Sequence, residues 1–139
     1  KSGFLAELSD AAIEAMVEAF ERVPSSMSGI FLDHVHGAAT RVDATATAFP
    51  HRQEAFSVLV LAQWMDRADT EPNIAWARDT FETLRPHLSD RRYTNFLSAD
   101  DAGFVRQAYG ENYERLVQVK RQYDPDNLFR LTPNIDPAG

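Results

Sequence analysis

The sequence predicts an α+β fold, in which a small, largely antiparallel sheet carries helices packed on one side. Two runs rich in β-branched and aromatic residues, 28–36 and 56–65, are typical of strands. Apolar residues recur at helical spacing in four other stretches, 9–22, 71–85, 101–109 and 111–123. The chain has 139 residues, 44% of them hydrophobic, so we expect one compact unit with its own core.

The N-terminal stretch begins with an apolar segment, Lys1 to Leu8, that we expect to form an edge strand. Ser9 and Asp10 are typical of an N-cap, and the helix they begin runs through Arg22. One face of this helix is apolar and is expected to pack against the sheet: Ile13, Met16, Val17 and Phe20.

The middle of the chain predicts two strands with a loop between them. Residues 30–35 have the composition of a buried strand. Residues 38–48 are small and Thr-rich, which predicts an extended loop or a weak strand at 40–42. The run 56–65 is the most apolar of the chain, and its length and β-branching favour a central strand covered on both faces.

The C-terminal part predicts three helices and a sharp turn. Thr70 and Pro72 begin a helix that ends at about Arg85, and residues 91–97 are expected to be extended. Two further helices follow, separated at Gly110. The run 124–127, Asp-Pro-Asp-Asn, cannot continue a helix, so we expect the chain to turn back there.

Composition excludes several kinds of function. A net charge of −7 argues against nucleic acid or an anionic membrane surface as the main partner, since both require clustered Lys and Arg. The sequence has no Cys, which excludes disulfides, thiol catalysis and thiolate metal sites in these residues and leaves the compartment undecided. No apolar run approaches the roughly 18 residues that a membrane-spanning helix requires.

Tyr93 and Asn95 are candidate site residues. In an extended segment, side chains two apart point to the same face, so the phenol and the amide would lie together. Such a pair suits an oxidation in which the substrate loses a proton as well as a hydride. The structural alternative is a buried tyrosine with a satisfied hydroxyl beside a loop asparagine, and spacing alone favours that alternative.

The four histidines, His34, His36, His51 and His87, raise the question of a metal site. His34 and His36 would point the same way on a strand, but no acid or third histidine stands at a fixed helical spacing to them. We therefore expect no metal.

Several motifs occur in one order along the chain: Lys1-Ser2-Gly3-Phe4, Phe49-Pro50-His51-Arg52, Trp64, Tyr93-Thr94-Asn95-Phe96, Tyr109-Gly110-Glu111-Asn112-Tyr113-Glu114-Arg115-Leu116, Lys120-Arg121 and Tyr123-Asp124-Pro125-Asp126-Asn127-Leu128-Phe129. In this order and spacing, the sequence resembles the C-terminal segment of FAD-linked oxidases related to berberine bridge enzyme, in the vanillyl-alcohol-oxidase-like group. The likeness runs through the whole chain.

The resemblance implies that this chain is part of a larger flavoenzyme substrate domain. Residues 1–90 would belong to the substrate-binding domain, and residues 91–139 would be the C-terminal berberine-bridge-type segment. The cofactor would be FAD, bound mainly by a flavin-binding domain outside this chain, and that domain and a small-molecule substrate would be the partners. The family then predicts oxidation of an alcohol, amine or sugar-like substrate, with no turnover by this chain alone.

The resemblance also assigns roles to residues. Tyr93 would act near the substrate as a base, while Asn95 would lie against the flavin ring. His51 and Arg52 would lie near the substrate channel. The chain departs from the family at Val58-Leu59-Val60, where relatives often carry a polar residue, and at Leu131-Thr132-Pro133-Asn134-Ile135, where Asn134 remains the candidate for a flavin contact.

Two other readings stay open. The chain could be a stand-alone, non-catalytic module that binds a small molecule or forms a homodimer through the face that a flavin domain would cover. An all-helical regulator is the third reading, and it requires that both predicted strands be absent.

Overall fold

The computed structural model describes residues 1–53, 55–97, 99–131 and 133–139. The chain divides into two compact units, Lys1–Val35 with Glu54–Asp90, and His36–Gln53 with Arg91–Gly139. Residues 36–53 therefore group with the C-terminal residues and not with the sheet.

The first unit contains an antiparallel sheet of three strands, β1 (Ser2–Leu5), β2 (Gly29–Val35) and β3 (Ala55–Leu61), in the order β1, β3, β2. Val58 of β3 lies opposite Gly3 of β1 and Leu32 of β2. The α+β class, the edge strand at the N-terminus and the central strand are confirmed. The central strand ends earlier than predicted, at Leu61.

Strand β2 was expected to be buried, and that expectation is wrong. It lies at an edge of the sheet, and Phe31 and Leu32 are half exposed while Asp33 and His34 are exposed as well. Its composition favours an extended backbone but does not determine how many neighbours the strand has.

Two helices, α1 (Asp10–Glu21) and α2 (Thr70–Leu84), pack on one face of this sheet. Ser9 caps α1, because its hydroxyl oxygen accepts the backbone N–H of Ala12 at 3.3 Å. The indole N–H of Trp76 donates to the carbonyl of Ala19 at 2.8 Å and ties α2 to α1. The core of the unit consists of Leu5, Ala12, Met16, Val58, Val60, Trp76, Ala77 and Leu84.

The predicted apolar face of α1 is only partly buried. Met16 is in the core, but Ile13, Val17 and Phe20 are 39%, 53% and 54% exposed. The helical period identified the apolar stripe correctly. The sheet in this chain is too narrow to cover all of it, because β2 is its last strand on that side.

The second unit contains two short helices, α3 (Val105–Tyr109) and α4 (Tyr113–Tyr123), with several 3₁₀ turns. The expected helix at 101–109 is a 3₁₀ turn as far as Phe104 and α-helical only from Val105. The loop or weak strand expected within 38–48 is a 3₁₀ turn at Gly37–Arg41, which the hydroxyl of Thr40 closes by donating to the carbonyl of Gly37. Among the described residues, no helix is long and apolar enough to cross a bilayer.

The turn after α4 is held by one carboxylate. Asp124 accepts the backbone N–H groups of Leu128 and Phe129 at 2.7 and 3.0 Å. It also accepts Lys120 Nζ at 2.5 Å, and Lys120 in turn donates to the carbonyl of Phe129. The hydrogen bond from Lys120, above all, lowers the pKa of Asp124. The predicted reversal of the chain at this point is confirmed.

Candidate functional site

Three segments of the second unit line a cavity of about 280 Å³. They are the loop before β3, the segment around Tyr93 and the end of α3. The lining residues are Ala48, Phe49, Pro50, Tyr93, Thr94, Asn95, Ala108 and Tyr109. The cavity therefore carries two phenols, one amide side chain and an aromatic wall.

Tyr93 and Asn95, predicted to lie together, do so. The side-chain amide of Asn95 donates to the Tyr93 hydroxyl oxygen at 2.8 Å. The geometry differs from the extended segment that was expected, because residues Thr94–Phe96 form a 3₁₀ turn closed by the Phe96 N–H on the Tyr93 carbonyl. The turn folds the amide back onto the phenol, so the pair forms by a different backbone route.

The ring of Tyr93 is fixed by two other aromatic rings. Phe49 packs edge-on against it with centroids 5.4 Å apart, and Phe96 does so at 5.1 Å. Phe96, the last residue of the motif 93–96, thus contributes packing to Tyr93.

His51 lies behind this wall and is 4% exposed. Its Nε2 is 2.5 Å from the carbonyl of Arg92, and its ring packs edge-on against Phe49. Burial is the main cause that lowers the pKa of His51; the charge of Arg91 lowers it further, and hydrogen bonds to the backbone of Arg92 and Ala108 oppose the shift.

Arg52 lies over the ring of Phe49, with its guanidinium carbon 4.8 Å from the ring centroid. Its two terminal nitrogens donate to the carbonyl of Ala39 and to the hydroxyl of Thr47. Neither His51 nor Arg52 is among the described residues that line the cavity. The predicted proximity of both to a substrate remains a prediction.

Sequence reasoning missed two residues of the site. Asn112 is 6% exposed, and its amide donates to the carbonyls of Ala44 and Thr47 at 2.8 and 2.9 Å, which holds the loop that leads to Phe49. Tyr109 adds the second phenol, and burial raises its pKa. Both belong to the motif 109–116. A polar residue between two predicted helices, Asn112, was the feature of the sequence that could have indicated a structural contact there.

Asn134 lines a different cavity, of about 390 Å³, with Lys120, Leu128, Phe129, Leu131, Pro133 and Ile135. Its side-chain oxygen is buried and has no hydrogen-bond partner within the described part of the chain. The neighbouring Thr132, at which the sequence departs from the family, lies outside the described residues. The structure thus separates Asn134 from the Tyr93–Asn95 pair by placing them at two cavities.

The first unit has an apolar groove of about 470 Å³ between α1 and β2. The three exposed apolar residues of α1 line it, together with Leu8, Met16, Glu21, Ile30 and Leu32. His34 lies on the same strand, stacked on Phe56 at 4.5 Å. In the described ranges, no group of three or more His, Cys, Asp or Glu residues could hold a metal ion.

Comparison with known proteins identifies the family. Residues 92–136 match the family model described as berberine and berberine like. The chain is 33% identical over 133 residues to the uncharacterized FAD-linked oxidoreductase YgaK of Bacillus subtilis, covering 94% of this chain and 29% of that protein. The chain belongs to the berberine bridge enzyme-like family.

Two further matches support this assignment. Berberine bridge enzyme-like 17 of Arabidopsis thaliana is 32% identical over 119 residues, which covers 73% of this chain and 22% of the relative. The crystal structure of a glycopeptide hexose oxidase complexed with teicoplanin superposes with a TM-score of 0.81 at 26% identity, over 99% of this chain and 32% of the other. The chain therefore spans less than a third of the length of each of these relatives.

The residues of this berberine bridge enzyme-like chain fit part of a flavin. Asn134 offers a buried acceptor oxygen that lacks a partner among the described residues, which suits a ring N–H, and Asn95 offers an amide. A Gly-rich loop that leads into a helix N-terminus is a common binding site for the pyrophosphate of a dinucleotide. The six glycines of this chain are scattered singly, so the chain itself supplies no such loop.

Proposed function

We propose that this chain is the substrate-domain portion, at the C-terminal end, of an FAD-dependent oxidoreductase that oxidises an alcohol, amine or sugar-like substrate. The observation that carries the proposal is the Tyr93–Asn95 hydrogen bond in the lining of an aromatic cavity. The phosphates of FAD would be held by a flavin-binding domain of the parent protein, so the chain alone would not turn over.

In this proposal Tyr93 handles the substrate proton. As the phenolate, it takes the hydroxyl proton of an alcohol substrate, and the Asn95 amide that donates to its oxygen stabilises the negative charge. A bound flavin ring supplies the hydride acceptor for the substrate carbon. Phe49 and Phe96 keep the phenol in place, so that little reorientation is needed when the proton moves.

The composition of the cavity supports the substrate class. Phe49 and Tyr109 offer aromatic surface, and Tyr93 and Asn95 offer hydrogen-bonding groups, which is the combination that suits a hydroxylated carbon skeleton. A structural neighbour at 26% identity is a hexose oxidase by name, which favours a sugar-like substrate over an amine. His51 and Arg52 would act on such a substrate only through the wall they support.

The C-terminal tail supports a contact with the flavin-binding domain. Leu128, Phe129 and Leu131 are 77%, 82% and 88% exposed, which is costly for three large apolar side chains that stand close together in sequence. They line the same cavity as Asn134. A second domain that covered them would also bring its ligand to the Asn134 oxygen.

The test uses the complete protein that the gene encodes, with a visible spectrum and an intact mass as the first measurements. Primary alcohols, amines and hexoses are then supplied anaerobically, and bleaching of the flavin band is followed. We expect Tyr93→Phe to lower the bleaching rate about 10²-fold or more, the usual contribution of a general acid or base. Tyr123→Phe is the matched control, because that phenol is 75% exposed on α4.

A normal flavin content with a slow Tyr93→Phe and an unchanged Tyr123→Phe supports the proposal. A colourless complete protein refutes it, and so does a Tyr93→Phe variant that bleaches as fast as the wild type with every substrate that the wild type oxidises.

The apolar groove between α1 and β2 favours a second candidate, a non-catalytic module that binds a small apolar molecule or forms a homodimer. In that case the 139-residue chain itself is active in binding. Sedimentation of this chain and of Val17→Glu tests the homodimer. A dimer that the substitution dissociates favours the module, and a monomer in both proteins excludes the homodimer.

A further inference from the structure

The buried imidazole of His51 contacts all three segments that form the cavity wall. It packs edge-on against Phe49, it is hydrogen-bonded to the carbonyl of Arg92, and the backbone of Ala108 is its second hydrogen-bond partner. Each of these contacts lies on a cavity-lining residue or next to one, since Arg92 precedes Tyr93 and Ala108 precedes Tyr109. The imidazole itself is buried behind the wall.

The Tyr93 phenol is carried by a short turn of the backbone. Its turn, Thr94–Phe96, is a single 3₁₀ turn with two backbone hydrogen bonds, and such short turns open easily. A contact to the residue before the turn therefore helps to fix the Tyr93 backbone. His51 supplies one such contact, from Nε2 to the Arg92 carbonyl at 2.5 Å, and its side chain is buried.

Loss of the His51 imidazole would change the position of the Tyr93 phenol. The Arg92 carbonyl would lose its hydrogen bond to the imidazole, and the space left beside Phe49 would let that ring move away from Tyr93. A displacement on the order of 1 Å in a reacting group can cost 10²-fold in rate. His87, a half-buried histidine of the first unit, serves as the control.

We propose that His51 is a positioning residue that sets the orientation of the Tyr93 phenol by holding the backbone of Arg92 and the ring of Phe49. The expected effect of His51 on the reaction rate rests on the proposed function, but its effect on the position of Tyr93 does not. His51 acts through Tyr93, and it does not contact the substrate.

The experiment labels the complete protein with 3-fluorotyrosine and records ¹⁹F spectra, in which the Tyr93 resonance is assigned by its loss in Tyr93→Phe. We expect His51→Ala to shift or broaden that resonance and to lower kcat by 10-fold to 100-fold with KM changed less than about threefold. His51→Gln should restore much of both, because its amide N–H reaches the Arg92 carbonyl from near the position of Nε2. His87→Ala should change neither.

Two results overturn the inference: a Tyr93 resonance in His51→Ala that moves no more than in His87→Ala, or a KM raised tenfold at unchanged kcat, which indicates direct substrate contact. If the alanine variant does not fold, His51→Asn and His51→Gln give the same comparison, because the shorter amide does not reach Arg92. If the Tyr93 resonance moves in His51→Ala but Tyr93→Phe has the kinetics of the wild type, the positioning role is supported and the proposed function is refuted. The experiment therefore tests the inference and the proposed function separately.

Discussion

Replacement of Asn112 by alanine tests how the wall of the cavity is held. The Asn112 amide donates to the carbonyls of Ala44 and Thr47 at 2.8 and 2.9 Å, and each such bond contributes roughly 1 kcal/mol to stability. Alanine is the better helix former by about 0.5 kcal/mol, which offsets part of the loss. The Asn112 side chain makes no capping bond to α4, so no cap is lost. We expect the second unit to lose about 1.5 kcal/mol.

The assay is hydrogen exchange of the peptide that covers residues 43–50, with urea unfolding as the global measurement. A loss of about 1.4 kcal/mol corresponds to a tenfold increase in exchange of amides that open with the loop. Asn112→Asp should exchange faster still, because a carboxylate oxygen would face the two carbonyls without a proton to donate. Gln122→Ala, an exposed amide on α4, is the control. Equal exchange in Asn112→Ala and Gln122→Ala would show that the amide does not hold the loop.

Two further predictions concern the C-terminal turns. Because Lys120 lowers the pKa of Asp124 below its ordinary value of 3.8, the carboxylate contributes stability that is present above pH 3.8 and is lost as pH falls through the lowered pKa. Urea midpoints between pH 7 and 3 should therefore fall more steeply in the wild type than in Asp124→Asn, and parallel curves would contradict this. Gly110 has a φ of +49°, so Gly110→Ala should cost about 1 kcal/mol by thermal unfolding, while Gly103→Ala, with nothing within 4 Å of an added Cβ, should cost less.

The parts of the fold that the sequence predicted correctly are those set by local chemistry. Ser9 caps α1, Pro86 follows the end of α2, and Asp124 reverses the chain, each through contacts within a few residues. Strand β2 and the exposed face of α1 were predicted incorrectly, because burial depends on which elements lie beside them. Periodicity shows that Val17 belongs to an apolar face, but it carries no information about what covers that face.

The site shows the same division. Tyr93 and Asn95 are two residues apart, so spacing alone could place them together, and the pair forms although the backbone is a 3₁₀ turn. The contacts of Tyr93 with Phe49, and of Asn112 with Thr47, join residues more than 40 positions apart. No local pattern encodes such contacts. They explain why Asn112 was missed.

The hydrogen bonds that hold the wall of the Tyr93 cavity indicate what the second unit would contribute to an oxidoreductase. The bond of Asn95 to Tyr93, of His51 to Arg92 and of Asn112 to the 44–47 loop all lie inside this unit. The group that would handle the proton is therefore oriented by the chain itself, before any flavin-binding domain is considered. If the hydride acceptor comes from elsewhere, flavin content and proton transfer should be separable properties. A variant such as Tyr93→Phe should then keep its full flavin content while it loses turnover.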